Sequence, residues 1–434
     1  MPRESIRFFA GTDVGKVRDH NEDNYLVDKK LNLFIVADGM GGHAAGEVAS
    51  GMAVRTVRDA VAKNRDMIDQ FDQGDASITR RDVLNILEFA VQQACHAVHT
   101  VSEAEPEKRG MGTTLTALLV AGERGFIAHV GDSRIYMLRD GRVHLLTDDH
   151  SVINELIKRG RLKKEDAESS PYKNAVTRAV GVFESVEVDT LDFEVLPGDR
   201  FLLASDGLHG YLQEAEIPKL IEQAETDEDP TGGLIEIANR RGGKDNITSV
   251  VVALDAGEET RAKKIAQDVN LRMEILHKMP IFRFLGYQEL VRVMNMTEVR
   301  NFKAGDPVIV EGAEGEELFI VLAGKVRVHH GDAVLTTLGA GEHVGEMALV
   351  DKTPRSASVT ADEDSRLLSV HRKDFFQLLR KEQAIAVKLL WSFLQVLTDR
   401  LRTTSRQLGD AKVALTAEDL TQDIFDLDAE GGSA

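Results

Sequence analysis

The chain contains one cysteine in 434 residues, which excludes an intramolecular disulfide and suits a reducing compartment. Long apolar runs are missing as well. No stretch is long enough to cross a bilayer, and residues 1–7 form no hydrophobic signal region, so the sequence predicts a cytoplasmic protein with no membrane partner. Basic residues are in deficit, 53 Lys and Arg against 72 Asp and Glu for a net charge of −19. That balance argues against a nucleic-acid partner. The length predicts two or three domains.

What the chain does have is a repeated pattern of acidic turns at the ends of apolar strands. Residues 33–37 read as a buried strand that carries Asp38 to its rim, followed by Gly39, Gly41, Gly42 and His43. The glycines let a backbone carbonyl approach whatever the carboxylate holds. Residues 201–204 run into Ser205-Asp206-Gly207, Asp245-Asn246 precedes the β-branched run 247–252, and Gly131-Asp132-Ser133-Arg134 stands between apolar runs at 126–130 and 135–138. Near the start, Arg18-Asp19-His20-Asn21-Glu22-Asp23 follows a strand candidate at 8–12.

Any one of these is an ordinary turn. Together, Asp23, Asp38, Asp132, Asp206 and Asp245 would repel and raise one another's pKa unless a cation neutralised them. Oxygen-only ligands select hard ions such as Mg²⁺ or Mn²⁺ over Zn²⁺. Two such ions about 4 Å apart would activate a water for in-line attack on phosphorus, and Arg18 would clamp the phosphate oxygens.

In this order the segments resemble the metal-dependent protein serine/threonine phosphatases of the PPM type in their bacterial form. The match rests on Arg18 to Asp23, Val36 to His43, Gly110-Met111-Gly112-Thr113-Thr114, Val130 to Arg134, Thr177-Arg178-Ala179-Val180-Gly181, Ser205 to Gly207 and Asp245-Asn246-Ile247-Thr248. The resemblance implies an α+β fold for residues 1–255, an α-β-β-α sandwich of two antiparallel sheets flanked by helices. It implies a dinuclear Mn²⁺ or Mg²⁺ centre held by Asp38, Asp206 and Asp245 with Asp23 and the Gly39 carbonyl. Asp132 with Asp206 would hold a third ion, and Arg18 would bind the substrate phosphate. His43 is either the general acid for the leaving alkoxide or a turn residue. Residues 148–181 would form a flap, with 155–159 as a basic helix on it or a plain solvated one. Phosphoproteins are the implied substrates, and a cognate Ser/Thr kinase system the implied partner.

Other phosphatase chemistries fail on the residues. A cysteine nucleophile needs an Arg six positions on, where Cys95 has Val101, and Cys95 lies in a helical repeat of Val83, Leu87, Ala90, Ala94 and Val98 that marks it as core. An aspartyl-phosphate mechanism needs Asp-x-Asp after a buried strand; Asp426-Leu427-Asp428 lies in the acidic tail instead.

Beyond residue 255 a helical linker is expected at 256–280, with Ile265, Val269, Met273 and Leu276 on one stripe. It would either pass force between domains or merely connect them. From 281 a helical lead-in gives way to short strands with glycine turns, the pattern of a small antiparallel barrel or jelly roll. Gly345-Glu346-Met347-Ala348-Leu349 and Pro354-Arg355-Ser356-Ala357-Ser358-Val359 then resemble the phosphate-binding cassette of cyclic nucleotide-binding domains. The resemblance implies a jelly-roll β-barrel over 281–415 with a long C-terminal helix. A one-turn helix from Gly345 would offer N–H groups to a cyclic phosphate. Arg355 would pair with its oxygens, Glu346 would take the ribose 2′-OH, and Ala357 would donate a backbone N–H. Otherwise Glu346 and Arg355 are a structural ion pair. Ser356 suits either purine, leaving cAMP or cGMP as the ligand.

Residues 373–415 read as one long helix or two abutting ones. Val387, Leu390, Leu394, Leu397, Leu401, Leu408 and Ala411 fall on a and d heptad positions, interrupted by Thr404, predicting a homodimer or a stripe packed back on the barrel. Trp391 either stacks on the purine or belongs to the core. Residues 416–434 are expected to be an acidic disordered tail.

Two functions compete: a phosphoprotein phosphatase regulated by cyclic nucleotide, and a signalling scaffold whose phosphatase half turns over weakly and whose barrel docks or dimerises without ligand. A transcription factor would need a helix-turn-helix after the long helix, and none is expected in residues 416–434.

Overall fold

The computed structural model describes residues 6–41, 45–222, 229–255 and 259–430. They fall into two compact units, 1–271 and 272–434.

In the first unit two five-stranded antiparallel sheets face each other. One has the order Ile6–Asp13, Ile247–Leu254, Arg200–Ala204, Arg134–Arg139, Arg142–Leu145, and the other Asp189–Glu194, Arg124–Val130, Leu115–Ala121, Leu33–Ala37, Asn24–Asp28. The central strands are largely apolar because both faces are covered: every residue of 33–37, 115–121 and 247–254 is buried, with Thr116, Thr248 and Ser249 the polar exceptions. Phe8 meets Phe34 at 6.1 Å and Phe193 meets Phe201 at 5.8 Å across the sheet interface. Outside the second sheet lie helices Ala45–Lys63 and Arg80–Ala104, which pack residues such as Leu87 over Ile35, Leu119 and Phe126. Outside the first sheet, Thr231–Arg240, through Leu234, and shorter helices cover Leu202 and Val251. Helix Arg80–Ala104 is fixed at its start by a capping box between Thr79 and Asp82. Its buried stripe contains the expected Val83, Leu87, Ala90, Ala94 and Val98, with Cys95 among them.

This unit extends past the expected boundary at 255. Helix Glu259–Lys278, within the expected helical linker, lays Ile265, Ala266 and Val269 on Leu196 of the first unit.

Among the described residues of the second unit, the strands of the expected jelly-roll β-barrel do not close into one ring. Its strands form two four-stranded antiparallel sheets, Thr297–Phe302, Ser365–His371, Glu317–Ala323, His343–Val344 and Pro307–Ile309, Ser358–Ala361, Val326–His330, Ala333–Leu338. Ile309, Phe319, Val321, Val326, Val359 and Leu367 fill the space between them. Bulges interrupt the register at 307/309, 321/323 and 328/329, which is how short strands splay into two sheets rather than one ring.

Two abutting helices follow, Arg372–Lys381 and Gln383–Glu430, broken at Glu382 where the backbone leaves helical space. The helix runs on through 416–430, the segment expected as an acidic tail, which has neither glycine nor proline before Gly431. One stripe, Ile385, Leu389 and Phe393, is buried, Phe393 against Phe375 at 5.9 Å. The heptad stripe from Val387 to Leu408 faces outward, its leucines all more than half exposed. Trp391 is 57% exposed, so it is not the core residue that its apolar surroundings suggest.

Candidate active site

Five strand ends of the first unit carry the acidic turns to one place. Asp38 leaves the strand Leu33–Ala37, and its backbone is fastened on both sides. Its N–H donates to Thr114 Oγ1 at 2.9 Å, and its carbonyl accepts from Thr114 N–H at 2.8 Å and Thr113 Oγ1 at 2.9 Å. Gly39 follows because no side chain fits: a Cβ there would lie 2.2 Å from the Gly46 carbonyl oxygen and 2.5 Å from that of Glu22. Gly207 answers the same need beside Asp206, where a Cβ would lie 2.0 Å from the Asn246 carbonyl oxygen. The two close approaches press the Asp38 segment against Glu22 beside Asp23, and the Asp206 segment against Asp245-Asn246.

Asp23 is buried and accepts from Thr248 Oγ1 through Oδ2 at 2.7 Å. Its Oδ1, like Oδ1 of Asp206, is buried without a hydrogen-bond partner. Burial, then Asp206 and Asp245, push Asp23 up to about 7 against the pull of its hydroxyl partners. Burial holds Asp38 well above the usual carboxylate range, with Asp23, Asp206, Asp132 and Asp245 each adding repulsion. Asp132 is pushed up to about 7 by burial and then by Asp206 and Asp149. Asp206 is raised by burial and Asp245. Arg18, half-exposed, donates from Nη2 to Asp245 Oδ2 at 2.8 Å.

Among the described residues no three His, Cys, Asp or Glu side chains stand as a ready-made metal-holding group. The acids are nevertheless mutually repelling, all oxygen donors, and two of their buried oxygens lack partners. A hard divalent cation supplies what those oxygens want, so the residues fit the group. His43 lies outside the described residues.

Several supporting residues were given no role in the sequence reading, though Asn246 and Arg134 stand within its motifs. Asn246 ties the Arg18 loop to the sheet, donating from Nδ2 to Val14 O at 3.0 Å and His20 O at 2.9 Å and accepting from Glu22 N–H at 2.9 Å. Burial drives His209 down to about 3, and its Nε2 donates to the Asp132 carbonyl at 2.9 Å. Arg134 grips Asp149 with two hydrogen bonds of 2.9 and 2.7 Å beside Asp132. The Asn of the Asp-Asn pair could have been found as a turn residue; the histidines could not, since a lone His reads as core.

Comparison with known proteins settles the family. The description "Protein phosphatase 2C" matches residues 10–233. The chain belongs to the protein phosphatase 2C family. "Cyclic nucleotide-binding domain" matches residues 299–382 in the second unit. The serine/threonine phosphatase stp of Listeria monocytogenes serotype 4b is 40% identical over 253 residues, 58% of this chain and 96% of that protein. The serine/threonine protein phosphatase PstP of Mycobacterium tuberculosis is 39% identical over 252 residues, 57% of this chain and 44% of PstP. The crystal structure of the M. tuberculosis phosphatase PstP/Ppp superposes with a TM-score of 0.50 at 39% identity, covering 58% of this chain and 99% of that one. The chain is thus a serine/threonine phosphatase of this family joined to a cyclic nucleotide-binding domain.

In that second domain the cassette differs in detail from expectation. Its helix runs Met347–Val350 and begins after Gly345, whose φ of +82° is the left-handed conformation that favours glycine. Arg355 donates to the Glu317 carbonyl at 2.8 Å and the Gly345 carbonyl at 3.4 Å. Gly315 leaves room for its head: a Cβ there would lie 2.2 Å from Arg355 Nε. Ala357 is half-buried beside it, while Ser356 and Met347 are exposed.

Proposed function

We propose that this phosphatase hydrolyses phosphoserine and phosphothreonine in proteins at a Mn²⁺ or Mg²⁺ centre. Asp38, Asp206 and Asp245, with Asp23 and the Gly39 carbonyl, would hold two ions, and Asp132 with Asp206 a third. The observation that carries the reading is the pair of buried, unpartnered carboxylate oxygens on Asp23 and Asp206 amid acids that raise one another. When bound, the ions supply charge neutralisation and a water activated for in-line attack.

The chain's own residues do the rest. Arg18 stands partly exposed on Asp245, positioned to exchange that contact for two phosphate oxygens. Thr113 and Thr114 fix the Asp38 backbone, and Thr248 holds the Asp23 carboxylate, before substrate arrives. His43 remains the proposed acid for the leaving alkoxide. Residues 148–181 form the proposed flap.

The second domain is proposed to bind cAMP or cGMP at Gly345, Glu346, Met347, Ala348, Arg355, Ser356 and Ala357 and to modulate turnover. Its outward leucine stripe on helix Gln383–Glu430 supports a homodimer, since a row of exposed a and d positions is half of a coiled-coil seam. The test is hydrolysis of a phosphothreonine peptide with Mn²⁺ titrated from zero, in the presence and absence of each nucleotide. A metal-dependent rate changed by one nucleotide supports the reading. A metal-dependent rate indifferent to both removes the regulatory part, and no rate at any metal concentration favours the weakly active scaffold.

A further inference from the structure

The Thr177-Arg178 motif and the histidine His150 have no role in the chemistry described above, yet they meet at one partly exposed junction around the buried His150 ring. The His150 ring is 7% exposed and lies 4.9 Å from the His129 ring. Its Nδ1 accepts from Gly131 N–H at 3.2 Å, so in the neutral ring the proton sits on Nε2, which faces Asp189 Oδ2 at 3.1 Å. Arg178 donates from Nη1 to the other oxygen of that carboxylate at 2.7 Å and pairs with Glu187 through Nη2 at 2.6 Å. Arg178 Nη1 also approaches His150 Nε2 at 3.2 Å. Both are donors there, so the Asp189 carboxylate is what holds them together.

The His150 backbone belongs to the same junction. Its N–H donates to Gly131 O at 2.8 Å, and its carbonyl accepts from Thr177 N–H at 2.7 Å. Val152 N–H donates to Ala175 O at 2.9 Å, and Ser151 bridges Val176, so both ends of 151–177 close on His150. Gly131 must be glycine, with φ +107° and Thr114 Cγ2 2.5 Å from a built Cβ, and Asp132 is the next residue.

We infer that His150 is a positioning residue: it fastens the Gly131–Asp132 turn and the base of the 151–177 segment to Asp189 and Arg178, so that the aim of Asp132 and the seating of that segment are set by one ring. This rests on the proposed role of Asp132 toward a divalent ion. Partners of this kind, one step behind a ligand, typically change metal affinity about tenfold or more.

The test pairs two replacements in the full chain. In His150→Asn, the amide oxygen takes the place of Nδ1 as acceptor for Gly131 N–H. In His150→Gln, the amide reaches toward Asp189 and leaves Gly131 N–H unpaired. Two readouts are taken: hydrogen exchange of peptides covering 130–134 and 150–177, and Mn²⁺ binding followed by calorimetry. The expected result is faster exchange at 130–134 and a metal affinity lowered about tenfold for the weakest-bound ion in His150→Gln, with His150→Asn within about twofold of the parent. Equal behaviour of the two variants, whether parental or impaired, would overturn the assignment. If the parent bound no Mn²⁺ at all, the metal reading would fall, and exchange at 130–134 would still decide whether the ring holds the turn.

Discussion

Replacing Gly207 with alanine probes the convergence of Asp206 and Asp245 without touching either. Gly207 has no left-handed φ to lose, so the effect is purely one of space. The new Cβ would lie 2.0 Å from the Asn246 carbonyl oxygen and 3.2 Å from Asp245 Cβ. Neither neighbour is free to swing away: Ser205 N–H donates to Thr248 O at 3.1 Å and Thr248 N–H to Ser205 Oγ at 2.9 Å, locking the two strand ends side by side. Since non-bonded heavy atoms rest roughly 3.5 Å apart, the turns must part by about 1 Å or more. Overpacking of this kind costs about 1–3 kcal/mol, a fall in Tm of roughly 2–4 °C for each kcal/mol in a unit of this size. The effect on catalysis is larger, because a misplacement of about 1 Å near the reacting atoms costs roughly 100-fold. The assay is kcat/KM on a phosphothreonine peptide at saturating Mn²⁺ beside a thermal melt. Gly232→Ala, with nothing within 4 Å of its added Cβ, serves as the silent control. Parental kcat/KM in the folded Gly207→Ala protein would refute the claim that these two carboxylates serve one centre.

Asp38→Asn should abolish turnover while the protein still folds, and its chelator-treated form should melt no lower than the parent, because one member of a repelling set has been neutralised; retained turnover would contradict the site. The stabilisation conferred by Mn²⁺ should widen as pH rises from 5 to 8. Asp23 and Asp132, pushed up to about 7, favour the metal-free fold only while protonated, so their contribution is full below the unfolded carboxylate range and is lost as pH rises through about 7. The buried His129 and His209, driven down to about 4 and 3, act in the opposite sense but cancel when melts with Mn²⁺ and with chelator are subtracted. A difference that is flat with pH would contradict the assignment. Gly315→Ala should weaken cyclic nucleotide binding about tenfold in calorimetry by displacing the Arg355 head, while sparing basal turnover; unchanged affinity would remove Arg355 from the ligand site. Leu394→Glu with Leu397→Glu should convert a dimer to a monomer by light scattering, and an unaltered mass would show that the stripe is not the seam.

The sequence made the acidic turns legible because each sits where an apolar run stops, and strand ends are where buried backbone hands over to chemistry. It made helix Arg80–Ala104 legible through the stripe of Val83, Leu87, Ala90, Ala94 and Val98, while the Thr79 cap emerged only in the structure. Other features were hidden for physical reasons. Strand Leu115–Ala121 is apolar on both faces, so it shows no alternation to distinguish it from a buried helix. The docking of Ile265, Ala266 and Val269 on Leu196 depends on a contact nearly seventy positions away, which helical periodicity cannot address. The His129, His150 and His209 set is likewise assembled by three distant elements. In the second unit, the glycine turns announced short strands, but whether these close into a ring is decided by bulges that leave no mark in hydropathy.

The most direct test of the central claim is a calorimetric titration of Mn²⁺ into the chelator-stripped full chain, with turnover of a phosphothreonine peptide followed at each addition. Two or more bound ions per chain, with turnover rising as they fill and both responses lost in Asp206→Asn, is the predicted result. Turnover that is independent of bound Mn²⁺, or metal binding that survives the loss of Asp206 unchanged, would contradict it.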